Sequence, residues 1–350
     1  MSRKKSAIGS TTGEFEKIAV IERLHRGAAP RAAWIETGIG DDAAVIEIAR
    51  LVSVESSLGR SPRRRSSRAG SLDAAGRLVW TVDAQVDGQH FRRDWVDLED
   101  TGYRSFQAAV SDLAAMGAAP VGALSSLALP SALSDVELSA LVTGQAIAAR
   151  ECRCPVIGGN LTRAEQLSIT TTVLGRARRP LLRSGARPGH ELWLIGEVGE
   201  AAAGLRALQR GARKTRAVRE CIEAWRRPRA QLAAGQRLVG RASAAIDVSD
   251  GLMGDAAHLA QASGVRLTIS VEQLQSVCSE ALRGAARQLG EDELTLALSG
   301  GEDYALLATG PRESRPRGAR VIGIVERGRG VELDGPRPGL SLHSFDHFRA

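Results

Sequence analysis

A strand that ends in carboxylates constrains this chain more than any other feature. Over Leu78–Phe91, LVWTVDAQVDGQHF, Leu78, Trp80 and Val82 alternate with Val79, Thr81 and Asp83, and β-branched or aromatic residues fill most positions. That is the period-two pattern of a strand. The apolar run then breaks into Asp83 and Asp87, followed by Gly88 and His90. Two acids and an imidazole past a hydrophobic strand pack poorly, but a strand end holds such groups rigidly where a ligand can reach them. Similar acid-rich breaks recur at Asp41 and Asp42, at Asp112, from Asp247 to Asp250, and at Glu302 and Asp303. The expectation is that these five segments converge on Mg²⁺ and a polyphosphate.

Each break has an ordinary explanation beside the functional one. Asp41 and Asp42 sit in the glycine-framed stretch TGIGDDAAVIEI, where aspartate is often turn chemistry. Asp112 lies in a segment of helical spacing, Asp100 to Met116, with Ala108, Ala109, Ala115 and Met116 on its face. A carboxylate among small apolar residues needs a salt bridge, strong donors or a cation. Asp247, Ser249, Asp250 and Asp255 crowd the start of a helix predicted from Leu252. One acceptor suffices as a cap there, and neighbouring acids repel unless a cation sits among them.

Between these breaks the pattern predicts alternating strands and helices. An amphipathic helix is expected over Glu14–His25, a strand over Val121–Leu129, and a helix over Leu133–Arg150 capped by Ser134 or Asp135. Cys154–Ala177 is read as a strand, a turn at Gly158 and Gly159, and a second strand. Charge, proline and glycine near Arg178–Pro188 mark a domain boundary, giving domains 13–177 and 178–350. A strand over Glu191–Ile195, a helix from about Glu200, and a strand after Glu302 and Asp303 follow. Neither a GxxxxGK[ST] loop nor a GxGxxG after a strand is present.

The net charge of +7 raises the question of nucleic acid, but five arginines lie in Arg60–Arg68 and without them the balance is +2. Residues 51–77 are therefore read as a disordered basic insertion, and with aromatics at 3% stacking platforms for bases are scarce. Neither a nucleic-acid nor a membrane partner is expected. No apolar run of membrane-spanning length, about 18 residues, occurs, and the basic start MSRKKSAIGSTTGEF leads into no apolar stretch. The four cysteines, Cys152, Cys154, Cys221 and Cys278, fit reduced thiols of a cytoplasmic protein better than a disulfide framework.

GIGDDAA, TVDAQVDGQHF, VSDLAAMGAAP, GGNLTRA, RSGARPG, IDVSDGL and SGGEDY resemble, in order and spacing, the thiamine-monophosphate kinases. These belong to a superfamily with aminoimidazole-ribonucleotide synthetase, selenophosphate synthetase and a hydrogenase maturation factor. The resemblance runs from about Gly13 to Phe348, apart from 51–77. It implies a two-domain α/β fold of the α+β type and a homodimer whose N-terminal strands form a shared barrel. It implies ATP-dependent phosphorylation of thiamine monophosphate, assisted by several Mg²⁺ ions. On this resemblance Asp41, Asp42, Thr81, Asp83, Asp112, Asp247 and Asp250 are metal ligands. Gly159, Arg183 and Ser249 bind ATP, while His90, Glu302 and Phe345 face thiamine monophosphate.

Two positions depart from the family pattern. GGNLTRA carries Asn160 where the family has an acidic ligand, so Asn160 would serve metal and ATP through an uncharged amide. Val82 stands where a threonine is usual and offers only its backbone. Selenophosphate synthetase fits less well, since no cysteine precedes Cys152, and the hydrogenase factor fits less well, since the sequence ends HFRA. Another ATP-dependent enzyme of the superfamily with a different acceptor, or a non-catalytic nucleotide-binding homologue, is the alternative.

Overall fold

A computed structural model of the chain describes residues 35–37, 41–48, 76–212 and 215–335. The helix expected over Glu14–His25, most of the 51–77 segment and Phe345 lie outside the described residues. The described chain forms two six-stranded mixed sheets with a long helix between them.

The first sheet contains β1 (Ile35–Thr37), β2 (Ala44–Glu47), β3 (Arg77–Val86), β4 (Ala119–Leu129), β5 (Val156–Arg163) and β6 (Ser168–Ala177). Their order is β1-β2-β3-β6-β4-β5, and only β4 and β5 run parallel. The alternation in β3 divides its faces as the sequence indicates: Val79, Thr81 and Gln85 are buried, whereas Trp80 and Val82 are exposed. The glycine turn expected at Gly158 and Gly159 is strand instead. A Cβ on Gly159 would lie 1.8 Å from the Ser125 carbonyl oxygen, so glycine there lets β5 close on β4. The reversal falls at residues 164–167.

The second sheet contains β7 (Glu191–Ile195), β8 (Ala244–Val248), β9 (Arg266–Ser270), β10 (Ala305–Gly310), β11 (Arg320–Glu326) and β12 (Gly330–Asp334), ordered β12-β9-β11-β7-β10-β8. Its central strands are buried on both faces. Leu192, Leu194 and Ile246 enter a core with Ala256 and Leu259, while Trp193, Ile195 and Ala245 enter another with Ala114 and Ala115. Because Asp247 follows Ala245 by two residues, strand alternation turns it to the second of these faces.

The central helix, α1 (Leu98–Ala115), starts where the Asp97 carboxylate accepts the Asp100 N–H at 2.8 Å. Tyr103, Phe106, Val110 and Leu113 face the first sheet's core, with Val79 and Val173. The adjoining helix α2 (Asp135–Glu151) begins with a Ser134–Glu137 capping box. The two helices approach closely at glycines: a Cβ on Gly144 would lie 1.8 Å from the Glu99 carbonyl oxygen. Further helices α3 (Glu200–Gln209), α4 (Arg216–Arg226), α5 (Leu232–Leu238) and α6 (Leu252–Ser263) lie in the second half, as do three more between Val271 and Ser299. Among the described residues no helix is long and apolar enough to cross a membrane.

Candidate active site

Where α1 passes between the sheets, three carboxylates meet. Asp42 arrives from the turn before β2, Asp112 from α1 and Asp247 from β8, and an oxygen of each lies within 4.8 Å of the others. Thr81 on β3 donates its hydroxyl to Asp112 Oδ2, and Ser111 donates to Asp247 Oδ2 at 2.6 Å. Arg183 donates to Asp42 Oδ1 through Nε at 2.9 Å and Nη2 at 2.5 Å. Burial raises all three acids. Asp42 is pushed up to about 7, chiefly by burial, with Asp247 and Asp41 adding to it against the pull of Arg183. Burial, then the charges of Asp247 and Asp42, holds Asp112 well above the carboxylate range. Burial likewise raises Asp247.

Three mutually repelling acids with one guanidinium among them are short of positive charge. Asp42 Oδ2 is buried without a hydrogen-bond partner among the described residues. Hard carboxylate oxygens in this arrangement fit Mg²⁺, which takes a few carboxylates and leaves its other positions to water and phosphate.

A cleft of about 750 Å³ opens beside the cluster. It is lined by Asp83, Ser249 and Asp250 and by His90, Trp95, Trp225 and Glu302, with the Glu302 N–H bonded to the Ser249 carbonyl oxygen. Asp83 is near enough to Asp112 for its charge to raise that acid further. The Asp255 carboxylate accepts the Ser249 and Asp250 N–H groups at 3.1 and 3.2 Å, which fixes the loop before α6. His90 Nδ1 accepts the Val86 N–H at 3.1 Å, so the neutral ring carries its proton on Nε2. Glu302 receives Arg104 Nη2 at 2.5 Å and Trp225 Nε1 at 2.9 Å, both on Oε2. Of the residues expected to bind metal, ATP and acceptor, Asp83, Asp250, Ser249, His90 and Glu302 line this cleft, whereas Asp42, Asp112, Asp247 and Arg183 lie beside it.

Asp41 adjoins the cluster, accepting the Asp42 N–H at 2.9 Å and, from far along the chain, the Arg183 N–H at 3.3 Å. Other acids and glycines lie elsewhere. Asp303 does not join the convergence expected of Glu302 and Asp303. It is buried and accepts the Gly199 and Ala201 N–H groups at 2.6 and 3.0 Å, capping α3 from a distant point in the chain. Asp87 borders a shallow surface hollow with Arg92, Arg93 and Asp94. The pairing register sets Asn160 in one row with Ala84, Thr170 and Ser126, on the face that carries Val82. Thr81 and Asp83 point to the opposite face. Gly159 lies on the exposed edge strand beside Asn160.

The model for the N-terminal domain of AIR synthase related proteins matches residues 40–177, and that for their C-terminal domain matches residues 187–334. The thiamine-monophosphate kinase of Mycobacterium tuberculosis is 36% identical over 333 residues, covering 93% of this chain and 86% of the relative. This chain belongs to the thiamine-monophosphate kinase family. The family's Aquifex aeolicus member is 35% identical over 275 residues, 78% of this chain and 88% of the relative. The solved structure of AaThiL complexed with AMPPCP and TMP superposes with a TM-score of 0.80 at 30% identity, covering 96% of this chain and 97% of that one.

Sequence reasoning missed Ser111, Arg104, Trp225 and Trp95. Arg104, Ala108, Ser111 and Ala115 form one stripe of α1, so a buried arginine in line with the residue before Asp112 was a readable signal. Trp225 carried no such signal, because an amphipathic helix with one tryptophan is ordinary core material. The four cysteines are free and buried, and burial pushes the thiols of Cys152 and Cys221 up to about 12. Such thiols are unreactive near neutral pH.

Proposed function

We propose that this protein transfers the γ-phosphoryl group of ATP to the phosphate of thiamine monophosphate, releasing thiamine diphosphate and ADP. The observation that carries this reading is the one cleft lined both by Asp83, Ser249 and Asp250 and by His90, Trp225 and Glu302, beside the cluster of Asp42, Asp112 and Asp247. It occurs in a chain 36% identical to a thiamine-monophosphate kinase.

The acceptor oxygen belongs to a phosphate monoester and is ionised near neutral pH, so no general base is needed. Positioning and charge neutralisation therefore dominate. Asp42, Asp112 and Asp247 would hold Mg²⁺, with Asp41, Thr81, Asp83, Asp250 and the backbone of Val82 as the further proposed ligands; the Asn160 amide, on the opposite face of the first sheet, lies away from this cluster. When bound, Mg²⁺ offsets the repulsion between the two polyanions. Arg183, Ser249, Gly159 and Asn160 bind the nucleotide. His90 and Glu302 take the acceptor, the Glu302 carboxylate attracting the positive thiazolium; Phe345, outside the described residues, is the third proposed acceptor contact.

Two copies pair through the first sheet and complete a shared barrel. The apolar exposure of Trp80, Val82, Leu124 and Ile157 on that sheet supports this. The test of the activity is purified protein with ATP, MgCl₂ and thiamine monophosphate, products resolved by chromatography. Thiamine diphosphate and ADP should appear in equal amounts. ADP without thiamine diphosphate would point to another acceptor, and no turnover with retained ATP binding would overturn the enzymatic reading.

A further inference from the structure

We propose that Arg104 is a positioning residue for acceptor recognition: with Trp225 it brackets Glu302, and α1 sets that bracket at a fixed span from the acidic cluster. This rests on the kinase reading and deepens it.

The Arg104 side chain is 1% exposed, whereas that of Glu302 is 23% exposed and lines the cleft. Arg104 Nη2 and Trp225 Nε1 converge on the same oxygen, Glu302 Oε2. Among the described residues no group donates to Oε1. Arg104 Nη1 also donates to the Trp225 carbonyl oxygen at 2.8 Å, and its guanidinium lies 4.2 Å from the Trp225 ring centroid. One arginine thus grips the carboxylate and stacks on the indole that shares its load. The Glu302 backbone is fixed as well. It sits at φ 65°, an uncommon conformation for a residue with a Cβ, and its N–H donates to the Ser249 carbonyl oxygen at 2.7 Å. A carboxylate held at one oxygen and along its backbone presents the other oxygen in one direction.

α1 connects this bracket to the phosphoryl end. Arg104 and Ser111 are seven residues apart on one stripe, a rise of about 10 Å, and Ser111 holds Asp247. A single rigid element therefore spaces the group that attracts the acceptor's cation from the carboxylates that would hold Mg²⁺. A bridge serving stability alone needs no partner on a ligand cleft and no shared oxygen.

The test compares wild type with Arg104→Met, Arg104→Lys, Trp225→Phe, Glu302→Gln and the Arg104→Met/Glu302→Gln double variant. Steady-state constants for each substrate are paired with calorimetric titration of thiamine monophosphate. Arg104→Met should raise KM and Kd for thiamine monophosphate about tenfold or more while leaving KM for ATP within about twofold. Arg104→Lys should recover part of the loss, and the double variant should bind the acceptor no worse than Glu302→Gln alone. Unchanged acceptor constants in Arg104→Met, constants for ATP and acceptor that move together, or additive losses in the double variant would overturn the proposal. Should Arg104→Met not fold, Trp225→Phe decides: KM for the acceptor rises several-fold with KM for ATP unmoved, or the bracket is wrong. A wild-type protein that neither binds nor phosphorylates thiamine monophosphate overturns the functional reading itself, an outcome distinct from a normal wild type with an indifferent Arg104.

Discussion

Asp112 is a carboxylate placed where charge is hardest to keep, beside Asp42 and Asp247 with, among the described residues, only the Thr81 hydroxyl donating to it. If it serves Mg²⁺, Asp112→Asn removes a ligand charge and a repulsion together. Turnover should fall about a thousandfold while the urea midpoint of the metal-free protein stays level or rises, because a neutral amide no longer repels its neighbours. Asp303 poses the opposite case, a buried acid with a structural post. Burial pushes it up to about 8, with its two backbone N–H bonds pulling the other way. A folded-state value above the unfolded one means the native protein binds the extra proton. The stability from this group is full below pH about 4 and lost as pH rises through about 8. The drop in urea midpoint between pH 5 and pH 8 should therefore shrink in Asp303→Asn, and an unchanged drop would place the titrating group elsewhere. From the sequence, Asp112 and Asp303 are both acids in acid-rich breaks. Helical spacing showed the apolar surroundings of Asp112, but nothing local showed that Asp303 answers the N–H groups of Gly199 and Ala201, about a hundred residues away.

Among the elements, α1 determines most of the site, and its position depends on close backbone contacts rather than large side chains. Gly144 on α2 meets the Glu99 carbonyl, where a Cβ would stand at 1.8 Å. Gly144→Ala should push the helices apart and cost about 1–3 kcal/mol of stability, measured as a lower urea midpoint. A weaker affinity for thiamine monophosphate should accompany it, because Arg104 moves with α1. The extent of α1 was readable: the pattern predicted Asp100 to Met116 and the helix runs Leu98–Ala115. The strand at Glu191–Ile195 was readable as a short apolar run, though the run alone does not reveal that both of its faces are covered. β5 was misread because glycine pairs mark turns far more often than strands, and the close approach to Ser125 that requires Gly159 is a contact between strands, invisible to local pattern.

At the scale of the whole molecule, the first sheet presents contrasting faces. Its inner face packs on α1 and carries Thr81 and Asp83, while its outer face shows Trp80 at 49%, Val82 at 61% and Ile157 at 72% exposure. β5, the edge strand among the described residues, lies beside them and is exposed along its length. Water tolerates scattered apolar residues but disfavours a contiguous patch of them, so the proposed second copy would cover this face. In a single chain, Ile157→Lys exchanges one solvated side chain for another and should change stability by no more than about 0.5 kcal/mol. In a pair it buries an ammonium against apolar surface, and association should weaken strongly. Light scattering should give wild type twice the mass of one chain and Ile157→Lys the mass of one, with circular dichroism unchanged. A wild type that stays single at micromolar concentration would leave this face to some other partner.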